Sequence, residues 1–219
     1  ASLFSIVYHR KVKYARKKVK NAMKLFFSHV ILKETREKIT LHSLIKGVNP
    51  MEVRCASNPK DVKHYTTERL REEFHISGLF TCDEVKLVYS HIDRIITGGV
   101  IPVRKTLTLE AGKELAAEYF LQRREMGCIN IGGKGTITID GVAYEMNPRD
   151  GIYIGMGNRE ITFQCSDPAN PPKFYISSCP AHTTYPTVKI DITKAKKVPC
   201  GSVEDCNKRV INQYIHPEV

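Results

Sequence analysis

The chain has 219 residues, 42% of them hydrophobic, with 34 Lys/Arg against 23 Asp/Glu, so it can bury one core or two and carries a formal charge of +11. The charge is uneven: residues 1–50 hold twelve bases and only Glu34 and Glu37 as acids, which leaves 22 bases and 21 acids for the remaining 169 residues. A partner recruited by charge, nucleic acid above all, would meet that leading segment and not the folded body, and no run approaches the roughly 18 apolar residues of a membrane-spanning helix.

Residues 1–50 read as a basic extension. They contain no initiating Met and differ sharply in composition from residues 51–219, which marks them as a segment foreign to the protein or translated from upstream. The alternative is a native appendage whose stretch "YARKKVKNAMKLFF" forms a basic helix against RNA or a membrane. From Met51 the pattern settles. In "TTERLREEFHI" (66–76) Thr67 is the expected N-cap of a charged helical turn.

Strands then dominate, in "EVKLVYSHI", "RIITGGVIPV", "KTLTLE", "AEYFLQRRE", "CINIGG", "GTITIDG", "VAYEMN", "GIYIG", "EITFQCS" and "KFYISSC". Each is short, rich in β-branched and aromatic residues, and closed by a turn former. Short strands without long intervening helices predict a mainly β, antiparallel sandwich or barrel. Asp140-Gly141 is a hairpin turn, because this pair supplies the positive φ of a type I′ turn. Residues 51–195 are read as the barrel domain. The tail, 196–219, is read as a polar connector in which Asn207 opens a short helix or an extended arm.

Seven cysteines, at 55, 82, 128, 165, 179, 200 and 206, are odd in number and contain no Cys-x-x-Cys pair. They fit neither a disulfide framework nor a zinc finger, and they point to a reducing cytoplasm.

The stretch 124–163 resembles a cupin, a double-stranded β-helix or jelly-roll barrel: a Gly-x-x-Gly hairpin at 132–135, the Asp-Gly turn, Asp150 before a strand, then Gly155 and Gly157. Cupins hold a divalent metal on three histidines and a glutamate. Here "EYFLQRRE" (118–125) offers no histidine where the first two belong, Glu160 stands where the third belongs, and Arg123 and Arg124 would oppose a cation, so no metal is expected in this barrel.

Three blocks, "YSHIDRIITGGVIPV" (89–103), "YFLQRREMGCINIGGKGTITIDGVAYEMNPRDGIYIG" (119–155) and "KFYISSCPAHTTYPT" (173–187), resemble the amino-terminal part of the 5-dehydro-4-deoxy-D-glucuronate isomerases, also called 4-deoxy-L-threo-5-hexosulose-uronate ketol-isomerases. The resemblance covers Met51 to Val219. It implies two barrels in a chain that forms hexamers, aldose-ketose isomerisation of a uronate in pectin breakdown, and zinc held by ligands of a second barrel that are not present in this chain. The fragment is expected to be inactive alone. A metal-free cupin that binds sugar or serves assembly is the competing reading.

Candidate residues come from the resemblance and from side-chain chemistry. His182, in "CPAHTTYPT", lacks a second histidine at metal spacing. It is either a structural loop residue or the candidate catalytic residue, reaching substrate from a loop packed on a second barrel or subunit. Thr183 and Thr184 are candidate substrate contacts, and alternatively satisfy the loop's own backbone. Arg94, Arg123 and Arg124 are candidate clamps for a uronate carboxylate, with surface ion pairing as the alternative. His91 and Asp93 form a further acid/base candidate, or simply a polar strand face.

Overall fold

The computed structural model describes residues 51–216. The expectations for residues 1–50 lie outside the described residues.

Two sheets face each other. One has seven strands in the order β1 (Glu52–Arg54), β2 (Val85–Ser90), β3 (Ile96–Val100), β10 (Phe174–Pro180), β5 (Arg124–Asn130), β8 (Gly151–Ile154) and β11 (Val188–Ile190). The other has β4 (Leu107–Thr108), β9 (Ile161–Cys165), β6 (Gly135–Ile139) and β7 (Val142–Met146). All pairs are antiparallel except β1 with β2. From β5 to β10 the chain passes back and forth between the sheets, with only the β6–β7 hairpin staying within one, which is the jelly-roll connectivity of a cupin barrel.

The core follows from strand periodicity. β5 alternates buried and partly buried residues along its length, so Arg124, Met126, Cys128 and Asn130 face inward and Glu125, Gly127 and Ile129 face out. β10 shows the same alternation, with Phe174, Ile176 and Ser178 inward. Phe174 meets Phe163 from the opposite sheet with ring centroids 5.3 Å apart. Each such fully buried side chain contributes roughly 1.5–3 kcal/mol.

The Asp140-Gly141 turn forms as expected, with φ of 47° and 84°, between β6 and β7. Asp140 also accepts from the Arg159 and Glu160 amides, at 3.0 and 2.8 Å, which ties the turn to the segment entering β9. Asp150, 1% exposed, accepts from the Asn147 amide and pairs with Lys189 at 3.2 Å, fixing the corner before β8.

Several expectations need correction. The helix α2 (Thr67–Phe74) is capped by Thr66, not Thr67, because the Thr66 hydroxyl accepts from the Arg69 amide three residues on, at 3.4 Å. A short helix α1 (Pro59–Val62), capped by Asn58 with proline in its first turn, precedes it. Residues 117–123 are turns, not a strand. Phe120 and Leu121 are 1% and 0% exposed although adjacent, and a strand with one buried face cannot bury neighbours together. In the tail, β12 (Lys196–Cys200) and β13 (Arg209–Gln213) form a two-stranded hairpin of their own, so of the two expectations for Asn207 it is the extended arm, not the helix, that follows it. Tyr214, just past β13, donates to the Arg149 carbonyl at 2.5 Å and lays its ring against Gly151, docking the hairpin's end on the outer face of the large sheet.

All seven cysteines are free thiols. Among the described residues no helix is long and apolar enough to cross a membrane.

Candidate functional site

The fold collects most of the sequence candidates at one end of the barrel, where β5 begins and β10 ends. Arg124 is 6% exposed and points inward. Its Nε donates to Ser178 Oγ at 3.1 Å, and its Nη2 donates to the Ser178 carbonyl at 2.9 Å and to the Arg94 carbonyl at 2.6 Å. The guanidinium thus ties β5 to β10 and to the turn between β2 and β3. Its carbon lies 6.0 Å from the centroid of Tyr89, whose ring meets His91 edge-on at 5.1 Å. Desolvation pulls the Arg124 pKa below its ordinary value.

Arg94 is exposed and sits in that turn at φ 54°, beside Asp93 at φ 51°. Arg123 is exposed in the turn that leads into β5, while Arg124 begins the strand. Its Nη2 donates to the carbonyls of Leu115 and Ala116 at 3.0 and 2.8 Å. Neither Arg123 nor Arg124 makes an ion pair among the described residues. The Ala181 amide continues the ladder by donating to the Arg123 carbonyl at 3.1 Å, which brings the 181–187 loop to the same end. His182, Thr183 and Thr184 in that loop are exposed, and their side chains hydrogen-bond to nothing among the described residues.

The outer face of this end holds a second group. Glu125 Oε2 accepts from Tyr153 Oη at 2.7 Å, and Glu125 Oε1 takes the Cys179 thiol at 3.6 Å. Burial, then the Glu125 carboxylate, pushes the Tyr153 phenol up; the same causes push the Cys179 thiol up. Both groups are therefore proton-bearing at neutral pH, and Cys179 is not a ready nucleophile. Glu125, Tyr153 and Cys179 come from three strands. Nothing in the sequence pairs them, although the period-2 pattern of 124–130 does put Glu125 on the outer face.

A cupin-type zinc site does not fit this barrel. The inward positions of β5, β8 and β10 are largely apolar, and the thiol among them, Cys128, is 1% exposed and pushed up by burial. Among the described residues no three His, Cys, Asp or Glu side chains converge. Glu160 is exposed on the loop before β9.

Residues 75–219 match the model of the KduI/IolB family. The chain belongs to that family. It is 64% identical over 167 residues to the 4-deoxy-L-threo-5-hexosulose-uronate ketol-isomerase of Lachnoclostridium phytofermentans, covering 76% of this chain and 60% of that protein. A like-named protein of Lachnospira eligens is 57% identical over 171 residues, and one of Caldicellulosiruptor bescii 46% identical over 168. The chain spans about 60% of the length of these curated relatives. Among solved structures, an IolB-like protein of Salmonella typhimurium aligns over 53% of this chain and 42% of its own, with 12% identity and a TM-score of 0.41. The cupin-type fold of this family member rests on its own strand pairing.

Proposed function

We propose that this chain is the first-barrel portion of a uronate ketol-isomerase. The observation that carries the reading is its 64% identity, over 167 residues, with a protein of that name. The reaction is the aldose-ketose interconversion of 5-dehydro-4-deoxy-D-glucuronate and 3-deoxy-D-glycero-2,5-hexodiulosonate. A proton leaves the carbon bearing the hydroxyl beside the aldehyde, an enediol forms, and a proton returns to the former aldehyde carbon, so atoms balance and no external oxidant is needed. Zinc belongs to this reading as the parent family's metal, which acidifies that carbon proton when bound. Its ligands are assigned outside residues 51–216.

In this reading residues 51–195 form the first barrel and the 196–213 hairpin begins the connection to the second. His182, Thr183 and Thr184 contact the substrate from their exposed loop, and Arg94, Arg123 and Arg124 are the cationic candidates for its carboxylate. Assembly is hexameric, the compartment is the reducing cytoplasm, as three exposed thiols (Cys55, Cys82 and Cys206) suit, and the pathway is uronate catabolism. A purely structural or sugar-binding cupin is disfavoured by the identity with named isomerases.

Loss of the substrate aldehyde, followed with the purified chain in the presence and absence of zinc, tests the division of labour. No turnover is expected in either case. Zinc-dependent turnover by the chain alone would overturn it.

A further inference from the structure

A buried cation is costly unless something compensates it, and the guanidinium of Arg124 is not compensated by charge. It is 6% exposed, it makes no ion pair among the described residues, and its three hydrogen bonds go to one hydroxyl and two carbonyls. The neighbouring charges do not help. Arg94 adds a second positive charge, which disfavours the Arg124 cation further. The carboxylates closest in sequence are placed elsewhere: Asp93 is exposed on the turn, and Glu125 faces the outer side, where it accepts from Tyr153 and Cys179.

Nη1 of Arg124 has no hydrogen-bond partner among the described residues. No buried side-chain nitrogen or oxygen there lacks a partner, so Nη1 is not sealed inside the barrel but retains contact with solvent at its mouth. The Arg94 side chain is exposed and, among the described residues, neither it nor the Tyr89 hydroxyl makes a hydrogen bond. Meanwhile the Arg94 backbone is held at φ 54° by the contact of its carbonyl with Arg124 Nη2. A non-glycine residue in that region is strained, and here the strained turn sets Arg94 beside the Arg124 end of the barrel.

We infer that this barrel end is a binding site for a small carboxylate anion, bridged between Nη1 of Arg124 and the guanidinium of Arg94, with Tyr89 at its side. A carboxylate has two oxygens for the two cations and carries the single charge that one desolvated and one solvated guanidinium can share. The site rests on the reading above in that it takes two of the arginines assigned there to the substrate carboxylate, but it is tested by binding without turnover, so its failure is distinguishable from failure of the isomerase reading.

The test is a titration of the full ¹⁵N-labelled chain, following the Arg124 Nε–Hε resonance, with D-glucuronate, acetate, glucose and inorganic phosphate as probes. Glucuronate and acetate are expected to shift that resonance saturably, and glucose to leave it unmoved. Arg94→Gly removes the guanidinium while keeping a residue that tolerates positive φ, and should weaken both carboxylates about tenfold, the order of one charge-assisted contact. Absence of a saturable shift with either carboxylate overturns the site. An equal response to glucose overturns the anionic ligand, a response to phosphate alone overturns the carboxylate class, and unchanged affinity in Arg94→Gly overturns the two-arginine bridge.

Discussion

Tyr153 donates a 2.7 Å hydrogen bond to Glu125 across the β5–β8 pair, and Cys179 from β10 approaches the other oxygen of the same carboxylate at 3.6 Å. Three adjacent strands are thus joined on the outer face, directly behind the inward-facing link between Arg124 and Ser178. One barrel end is held from both sides of its sheet.

Tyr153→Phe removes a donor to a partly buried carboxylate and should cost about 1 kcal/mol at neutral pH, measured by urea denaturation. The folded-state pKa of Tyr153 is raised, first by burial and then by Glu125, so its contribution is fully present below the ordinary phenol value and is lost as pH rises past about 10. The wild type should therefore lose more stability than the variant between pH 9 and 11 as a rough window. Parallel losses would contradict the assignment.

Ser178→Ala breaks two contacts together, the 2.6 Å bond from its hydroxyl to the Glu125 carbonyl and the 3.1 Å bond it accepts from Arg124. The residue is 2% exposed, so a loss of about 1–3 kcal/mol is expected. In a double-mutant cycle with Arg124→Met the two losses should not add, because one network is removed by either change. Simple additivity would show that Arg124 is held by its carbonyl contacts alone.

Asp83 caps the segment after β3 by accepting from the Val103 and Arg104 amides at 2.9 and 2.8 Å and from Arg104 Nε at 2.7 Å. These hydrogen bonds, the Arg104 amide foremost, hold its carboxyl well below the usual range. A depressed folded-state pKa stabilises above the unfolded value of about 3.9 and that stabilisation is lost as pH falls below it. Asp83→Asn tolerates the positive φ at this position and keeps an acceptor, so it should lower Tm at pH 7 while the gap to wild type closes towards pH 2. A gap that persists in acid would mean the carboxylate charge is not the cause.

Strand identity was legible where apolar and polar residues alternate, and the Asp140-Gly141 turn was legible because its φ requirement is local. The failures share a cause. Residues 117–123 look strand-like in composition, yet Phe120 and Leu121 are both drawn into the core from a turn, which only tertiary packing decides. The β12–β13 hairpin pairs exposed, polar-rich segments whose pattern carries no buried face. At the site, the sequence offered Arg123 and Arg124 as equals. The start of β5 separates them: Arg124 is its first inward residue, at the mouth of the barrel, while Arg123 stays exposed in the turn before it, and that boundary is set by tertiary packing.

Gly151→Ala should act on the tail and not on the barrel. An added Cβ would sit 2.7 Å from the Tyr214 ring, so the ring must leave its seat beside the Arg149 carbonyl. Hydrogen exchange in 209–214 is expected to accelerate while that of β5 and β10 stays as in the wild type. Equal acceleration in all three would show that the hairpin's docking is part of the barrel's own stability.

The central claim, that this barrel is one working part of a uronate ketol-isomerase, is tested most directly by exchange. Residues 51–216 would replace the matching part of the Lachnoclostridium phytofermentans relative, and conversion of the uronate aldehyde to the ketone would be measured with zinc supplied. Turnover within about tenfold of the unmodified relative is the expected result, the loss allowed for one imperfect contact at the new junction. A chimera that folds and assembles like the relative yet isomerises nothing would contradict the claim.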